Sequence, residues 1–390
     1  MPTITSTAQA PRFATETVDV SVVIPCLNES ETIATCIIKA RRSMERAGLH
    51  GEVVVADNGS MHGSPEIAAT AGARVVHETR KGYGSAYLAG FAAARGRFIV
   101  MGDGDDTYDF DEVDRFVEPL MDGADMVMGS RLRGTIHKGA MPPLHRYVGN
   151  PVLTGILNLF YRSGVSDAHC GMRAFRRDAL RSLDLRTSGM EFASEMVIRA
   201  SKAGLKIDEI PIEYHPRRGE SKLSTWSDGW RHLRFLLIHS PTHLFTIPGA
   251  VMSVIGLIAM VGVLANFSVL GREWDIHAMI AGAMLVIAGS QAVALGLVAR
   301  AYGVHHLGEH DPLFERDDGR FTLERGILAG GALILVGLVI GAVIVAQWIN
   351  RGFGALGEEH LAVFSLTLVV VGIQTIFTSF LLSIVALDRQ

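Results

Sequence analysis

Four long uncharged stretches limit what this 390-residue chain can become. They run Leu244 to Leu270, Ala278 to Ala299, Gly326 to Asn350 and Leu361 to Leu387. Each meets or exceeds the roughly 20 apolar residues needed to cross the hydrocarbon core of a bilayer. Buried helices of soluble proteins rarely lack charge on every face over such a length. The pattern therefore predicts an all-α membrane domain of four helices over 241–390. Four crossings return the chain to the side from which it entered. The loop Arg300 to Arg325 carries Arg300, Arg316, Arg320 and Arg325, against Arg272 and Arg351 in the other two loops. That bias places the long loop, and with it both termini, on the cytoplasmic side. Within the third span Gly337 and Gly341 form a small-xxx-small pair that lets a second helix approach closely, in the same chain or in a homo-oligomer.

Ahead of the membrane half lies a mixture typical of a globular domain, assigned to 18–225. Residues 1–17 read as a disordered lead without the continuous apolar core of a secretory signal. Short apolar strands at Val18–Pro25, Gly51–Asp57, Ala73–Glu78, Arg97–Gly102 and Asp125–Gly129 alternate with helical patterns at Glu31–Ala47, Pro65–Ala71 and Gly84–Ala94. Strand–helix alternation with nearly continuous apolar strand cores predicts a Rossmann-like α/β domain, a mainly parallel sheet covered on both faces. Between the two halves, 226–240 intersperses Trp226, Trp230, Leu233, Phe235 and Leu236 with Arg231, His232 and Arg234. That pattern fits an amphipathic helix in the headgroup layer or one packed beneath the sheet.

The formal charge of −4 gives no basic field for nucleic acid. Three widely spaced cysteines, Cys26, Cys36 and Cys170, fit neither a disulfide framework nor a zinc site and agree with a reducing cytosol. Ligands of such sheets lie beyond the carboxyl ends of the strands. There the chain places Pro25, Asn28 and Glu29, then Asp57, then Asp103-Gly104-Asp105. Two carboxylates one residue apart suit Mg2+ or Mn2+ carrying a diphosphate, although acidic clusters after strands are as often solvated turns. Asp57 can accept hydrogen bonds from a nucleobase or simply open an Asx-type turn. Lys81 and Gly82, ahead of a helix, can approach a phosphate. Arg131, Arg173 and Arg217/Arg218 with Ser221 and Lys222 are three separate basic sites, more than one diphosphate needs. A second phosphate, on an acceptor, accounts for the excess. A juxtamembrane patch touching anionic lipid is the alternative for the last of them. His169 and Cys170 are neighbours in sequence and point apart on an extended segment, so they are not read as a nucleophile pair.

Together these segments resemble glycosyltransferase family 2 enzymes of the GT-A fold, with the nearest likeness in the polyprenyl-phosphate group. That group comprises dolichyl-phosphate mannose and glucose synthases and undecaprenyl-phosphate glucosyltransferases. The likeness covers residues 18–240: Val22-Val23-Ile24-Pro25 with Asn28-Glu29, Asp57, Asp103/Asp105, Gly129-Ser130-Arg131, Asp167 through Arg173, and Gly219-Glu220-Ser221-Lys222-Leu223. It implies inverting transfer of one hexose from a nucleotide sugar, linked to UDP or GDP, to a polyprenyl phosphate. It further implies Asp103 and Asp105 as metal ligands, Asp57 at the base, and Asp105, Asp167 and Arg131 at the chemistry. Mannose synthases often follow the acidic pair with glutamine, and here that position is Thr107. The family often has a second acid after Asp57, and here Asn58 stands there. The Asp-x-x-Cys-Gly pattern at Asp167 to Gly171 is closer to the glucose branch, so UDP-glucose is the expected donor and GDP-mannose the alternative. A processive polysaccharide synthase is expected to carry Gln-x-x-Arg-Trp before its later spans, and this sequence has none. A non-catalytic membrane protein that binds nucleotide sugars is the rival from outside the enzymes.

Overall fold

A computed structural model describes residues 18–218, 225–269, 272–273, 275–307, 311–315, 323–354 and 357–387. The chain divides after Leu236 into two compact units.

The first unit is built in the order β1 (Val20–Cys26), α1 (Ile33–Arg46), β2 (Gly51–Asp57), α2 (Ser64–Thr70), β3 (Arg74–His77), α3 (Tyr83–Ala93), β4 (Phe98–Met101) and α4 (Val113–Met121). It continues with β5 (Met126–Ile136), α5 (Asn150–Tyr161), β6 (Arg173–Arg176), α6 (Arg177–Ser182), α7 (Phe192–Lys202), β7 (Ile207–Tyr214) and α8 (Thr225–Ile238). Seven strands form one sheet in the order β3-β2-β1-β4-β6-β5-β7. Every neighbouring pair is parallel except the two made by β6. Apolar side chains alternate to both faces of β1: Val20, Val22 and Ile24 enter one core with α1 and α4, and Val23 enters the other with α3 and α7. Burial on both faces is why these strands read as unbroken apolar runs.

The antiparallel β6 positions the site. Its first residue, Arg173, pairs with Met101 at the carboxyl end of β4. The segment leading into β6 therefore arrives at the same sheet edge as the loop that leaves β4. Helix α8 buries Leu236 and half-buries Phe235 in the core that includes α7, and leaves Trp230 60% exposed. Tyr161 Oη donates to Leu236 O at 3.1 Å. One face of this helix thus packs on the first unit, and the Trp230 face stays open.

The second unit contains α9 (Ile247–Leu264), β8 (Ser268–Val269), β9 (Arg272–Glu273), α10 (Ile276–Leu307), α11 (Pro312–Glu315), α12 (Leu323–Asn350) and α13 (Glu359–Val385). Among the described residues four helices are long and apolar enough to cross a membrane: Thr242–Leu264, Ile276–His306, Leu323–Asn350 and Glu359–Val385. The first ends six residues before the limit expected from hydropathy, because Asn266 turns left-handed at φ 51° and Phe267 N–H bonds back to Gly262 O. The second runs past its apolar stretch through Arg300, whose guanidinium forms a two-bonded pair with Asp311 at 2.6 and 2.7 Å. Helices α9 and α10 meet at small residues: a Cβ on Gly256 would lie 2.5 Å from Gly282 O, and one on Gly289 2.5 Å from Gly249 O. Gly337 faces α13 in the same way, since a Cβ there would stand 2.7 Å from Ser365 O. The helix that approaches Gly337 therefore belongs to the same chain, and this residue's small face is already used. Ser290 Oγ donates to Gln374 Oε1 at 2.8 Å, tying α10 to α13.

Candidate active site

Asn28, just past β1, adopts a left-handed φ of 55°, which an asparagine tolerates better than most residues. Its main-chain N–H donates to Ser60 Oγ at 2.9 Å, and its Oδ1 accepts from Met61 N–H at 2.8 Å. Two loops from adjacent parallel strands are thereby locked together. Asp57 spends its oxygens on its own turn, accepting from Gly59 N–H and Ser60 N–H, both at 3.1 Å. His77 Nδ1 lies 3.3 Å away. Burial pushes the Asp57 carboxyl up, but the hydrogen bonds from Ser60 and Gly59 outweigh it and hold the pKa below the usual carboxylate value. The Asx-turn reading of Asp57 matches this geometry.

Asn58 ties the next loop. Its Nδ2 donates to Glu78 O and Arg80 O at 3.0 and 2.8 Å, and its Oδ1 accepts from Gly82 N–H at 2.8 Å. Lys81 Nζ donates to Asn58 O at 2.8 Å. Gly82 has φ 136°, and a Cβ there would lie 2.2 Å from Ser188 O, so the close approach requires glycine. The sequence pointed to Lys81 and Gly82 but missed Asn58, which fastens both.

After β4 the two acids part company. Asp103 Oδ1 accepts from Tyr83 Oη at 2.9 Å and Tyr87 Oη at 3.2 Å, two tyrosines one turn apart on α3. Burial and the charge of Asp105 push the Asp103 carboxyl up to about 6, against the lowering by the two hydroxyls and Arg217. Asp103 keeps some exposed area at the cleft. Asp105 Oδ1 accepts from Thr107 Oγ1 at 2.6 Å and Thr107 N–H at 3.2 Å. Its Oδ2 lies 3.4 Å from Arg217 Nη1, and Arg217 Nη2 lies 3.0 Å from Glu29 Oε1. Asp106 pairs with Lys39 at 2.9 Å, and Arg218 Nε lies 3.8 Å from its other oxygen. The structure therefore gathers Glu29, Asp103, Asp105 and Arg217 at one place. It sets Arg217 and Arg218 against the acids, where the sequence suggested an acceptor phosphate.

Arg131 and Asp167 form a buried fork: Nε to Oδ2 at 2.7 Å, Nη2 to Oδ1 at 2.8 Å, and Arg131 N–H to Oδ2 at 3.1 Å. Burial raises the Asp167 carboxyl, but the Arg131 charge and hydrogen bonds prevail and hold it low. A carboxylate held low is a poor proton acceptor. Arg131 also lies 5.2 Å from the centroid of the Tyr214 ring.

Arg173 is not brought into the acceptor set. It is fully buried and donates to Cys170 O, Ala193 O and Ala168 O at 2.8, 2.7 and 2.8 Å. Its guanidinium fastens the 167–172 segment to α7, a structural role that the sequence could not separate from phosphate binding. Cys26, Cys36 and Cys170 are free and buried. His169 is half-buried and its pKa is pushed well down, by desolvation first and then by His232. Ser221 and Lys222 lie outside the described residues.

Also missed in the sequence is an apolar face on the 141–161 segment: Leu144, Tyr147, Val148, Val152 and Leu159 are exposed, while Thr154 and Leu157 are buried behind them. Apolar positions spaced for the outer side of a helix were the available signal.

Comparison with known proteins extends the picture. Residues 21–184 match the family described as Glycosyl transferase family 2, and residues 297–386 match Glycosyltransferase family 2 C-terminal transmembrane region. The low-salt glycan biosynthesis hexosyltransferase Agl6 of Haloferax volcanii is 46% identical over 363 residues, covering 93% of this chain and 88% of that protein. A dolichyl-phosphate hexose transferase of the same organism is 35% identical over 213 residues, 54% of this chain and 89% of that one. Among solved structures, glucosyl-3-phosphoglycerate synthase from Mycobacterium tuberculosis, crystallised with Mn2+, UDP-glucose and phosphoglyceric acid, aligns with a TM-score of 0.47 and 23% identity. It covers 57% of this chain and 79% of that one, a likeness too loose to bear on ligands here.

Proposed function

The chain belongs to glycosyltransferase family 2 and is an integral membrane protein. On that premise we propose that it transfers a single hexose, with inversion, from a nucleotide sugar to the phosphate of a polyprenyl lipid. The observation that carries this reading is the pairing, at one sheet edge, of the Asp103/Asp105 loop with the Arg131–Asp167 fork in a chain with four membrane-length helices. The names of the two Haloferax relatives, a hexosyltransferase and a dolichyl-phosphate hexose transferase, support the same chemistry.

The donor would lie over Asn28, Glu29, Asp57 and the Lys81-Gly82 loop, with its diphosphate toward Asp105. The donor set fits a hard divalent cation: Asp105 and Asp103 offer oxygen only, and Asp105 is already balanced by a guanidinium cation. Mg2+ or Mn2+ held there supplies Lewis-acid stabilisation of the departing nucleoside diphosphate. An acceptor phosphate oxygen attacks C1 of the hexose, the C1–O bond to the diphosphate breaks, and its electron pair leaves with the diphosphate. The attacking phosphate is already ionised at neutral pH, so no strong protein base is needed. This agrees with an Asp167 held low by Arg131 and assigned here to positioning. Arg131 uses Nε and Nη2 on Asp167, and Nη1 lies outside that pair to orient the acceptor. We assign Ser221 and Lys222 to the same phosphate, together with Arg217 and Arg218 once the donor and its cation have relieved the acids.

The exposed face of Leu144, Tyr147, Val148, Val152 and Leu159, with Arg146 beside it, and the Trp230 side of α8 suit the headgroup layer. We assign the catalytic unit and both termini to the cytoplasm, a reading that the positive bias of the 300–325 loop supports. UDP-glucose is the donor we place first, with GDP-mannose second. The test is transfer from a panel of labelled nucleotide sugars to polyprenyl phosphate by the purified enzyme in detergent. Label in the lipid phase from one hexose donor, lost on chelation, supports the reading. Near-full activity of Asp105→Ala with metal present would remove the metal assignment, and label in no lipid from any donor would remove the reaction.

A further inference from the structure

Beyond the donor and acceptor groups, a separate cluster stands at the ends of β5 and β7. The strands are in parallel register, with Thr135 opposite Glu213 and Ile136 opposite Tyr214. The next pair along is His137 and His215. Main-chain bonding continues there, with His137 N–H donating to Tyr214 O at 3.0 Å and His215 N–H to Thr107 O at 2.9 Å. Alternation along the strand puts Glu213 and His215 on one face. His137 Nε2 lies 3.1 Å from Glu213 Oε2, and His215 Nε2 lies 3.7 Å from the same oxygen. The imidazoles stack at 4.5 Å with planes 16° apart. One donor atom from each of the three residues lies within 4.8 Å of the other two.

Ligands around a tetrahedral cation with bonds of about 2.0–2.1 Å stand roughly 3.3 Å apart, close to two of these spacings. Two imidazoles and one carboxylate make a nitrogen-rich set, which selects borderline cations such as Zn2+, Cu2+ or Ni2+ over the oxygen-seeking Mg2+ and Mn2+. The side chains are 41%, 55% and 36% exposed for His137, Glu213 and His215, so a cation reaches them from solvent without any opening of the fold. The backbone that carries them is held by strand pairing, which limits the rearrangement needed on binding.

We propose that His137, Glu213 and His215 form a binding site for a borderline transition-metal cation, with Zn2+ the first candidate, separate from the Mg2+ or Mn2+ position at Asp103 and Asp105. Bound there, the cation clips the end of β7 to the end of β5. Arg217 follows His215 by two residues and reaches Glu29 and Asp105. The clip therefore restrains the strand end from which Arg217 acts.

The test uses untagged full-length enzyme in detergent with Mg2+ in excess. Zn2+ affinity is read by competition with a chromophoric chelator, and ligation by Cu2+ electron paramagnetic resonance. We expect a micromolar Zn2+ site that weakens at least about tenfold in His137→Ala and in His215→Ala. The wild-type Cu2+ spectrum should show coupling to two nitrogens, falling to one in either variant. Glu213→Gln should weaken Zn2+ binding and keep both nitrogens. Circular dichroism and Mg2+-supported transfer without Zn2+ report whether each variant is folded. Unchanged Zn2+ affinity in a folded variant combining His137→Ala with His215→Ala would overturn the site. So would a wild-type spectrum with oxygen ligation only, which would leave a plain histidine–carboxylate ion pair.

Discussion

Arg131→Ala should cost the enzyme its fold stability before any question of catalysis arises. The Arg131 and Asp167 side chains are 8% and 0% exposed and share two short hydrogen bonds. Removing the guanidinium leaves a buried carboxylate with main-chain donors at 3.1 and 3.4 Å. Breaking such a pair typically costs about 3–5 kcal/mol, because the remaining charge is uncompensated. For a unit of this size each kcal/mol moves Tm by about 2–4 °C, so a loss of about 6–20 °C is expected. The pH dependence carries the sign. In the wild type the Asp167 carboxyl is held low, so its contribution is present above the usual carboxylate pKa and is lost only as pH falls through the depressed value. Without Arg131 burial raises that pKa, the acid protonates more readily as pH falls, and the gap between variant and wild type narrows on acidification. Arg131→Met combined with Asp167→Asn removes the orphan charge and should recover more than half of the lost Tm. Thermal unfolding in detergent measures all three proteins. An Arg131→Ala protein melting within about 2 °C of wild type, or a double variant less stable than the single, would refute this reasoning.

Asp103→Asn should stabilise the metal-free enzyme while disabling the diphosphate site. A carboxyl raised from 3.8 to about 6 destabilises the fold above that pH; full conversion gives about 3 kcal/mol, and its partial exposure reduces this to about 1–2. A Tm gain near neutral pH in chelator, vanishing near about pH 4, is expected, and a loss at neutral pH would contradict it. Arg217→Ala removes a cation 3.4 Å from Asp105 Oδ2, so Mn2+ affinity in the donor-free enzyme, read by paramagnetic resonance, should rise about fivefold, for about 1 kcal/mol. Unchanged or weaker binding would show that Arg217 does not compete there. Arg173→Met strips donors from three buried carbonyls, so a loss of about 2–4 kcal/mol is expected with acceptor KM unchanged in the folded protein. A stable variant with a raised acceptor KM would return Arg173 to the phosphate.

Much of the fold was written in strand cores buried on both faces. Val22-Val23-Ile24, Val53-Val54-Val55 and Phe98-Ile99-Val100-Met101 are apolar without alternation and became β1, β2 and β4. The later strands were harder. In β6, Arg-Ala-Phe-Arg is four residues with charges at both ends, and β7 carries Asp208, Glu209 and Glu213 near the sheet edge. Neither has a pattern that stands out from loop. The site divided along the same line. Acids after strands were legible because the sheet edge fixes where ligands bind, whereas the partners that set their behaviour are remote in sequence. Tyr83 and Tyr87 reach Asp103 from α3, and Arg217 reaches Glu29 from 188 positions away. Arg173 was misplaced because a guanidinium bound to backbone carbonyls and one awaiting phosphate look alike in sequence. Helix α8 packs beneath the sheet, one of the two readings offered for it, burying Leu236 while Trp230, six residues earlier, stays outside.

The mass of the lipid product formed from excess nucleotide hexose and polyprenyl phosphate, with and without divalent cation, tests the central claim most directly. The account predicts one hexose per lipid phosphate, formed only with the cation. A ladder of longer products, or the same product at full rate in chelator, would contradict it.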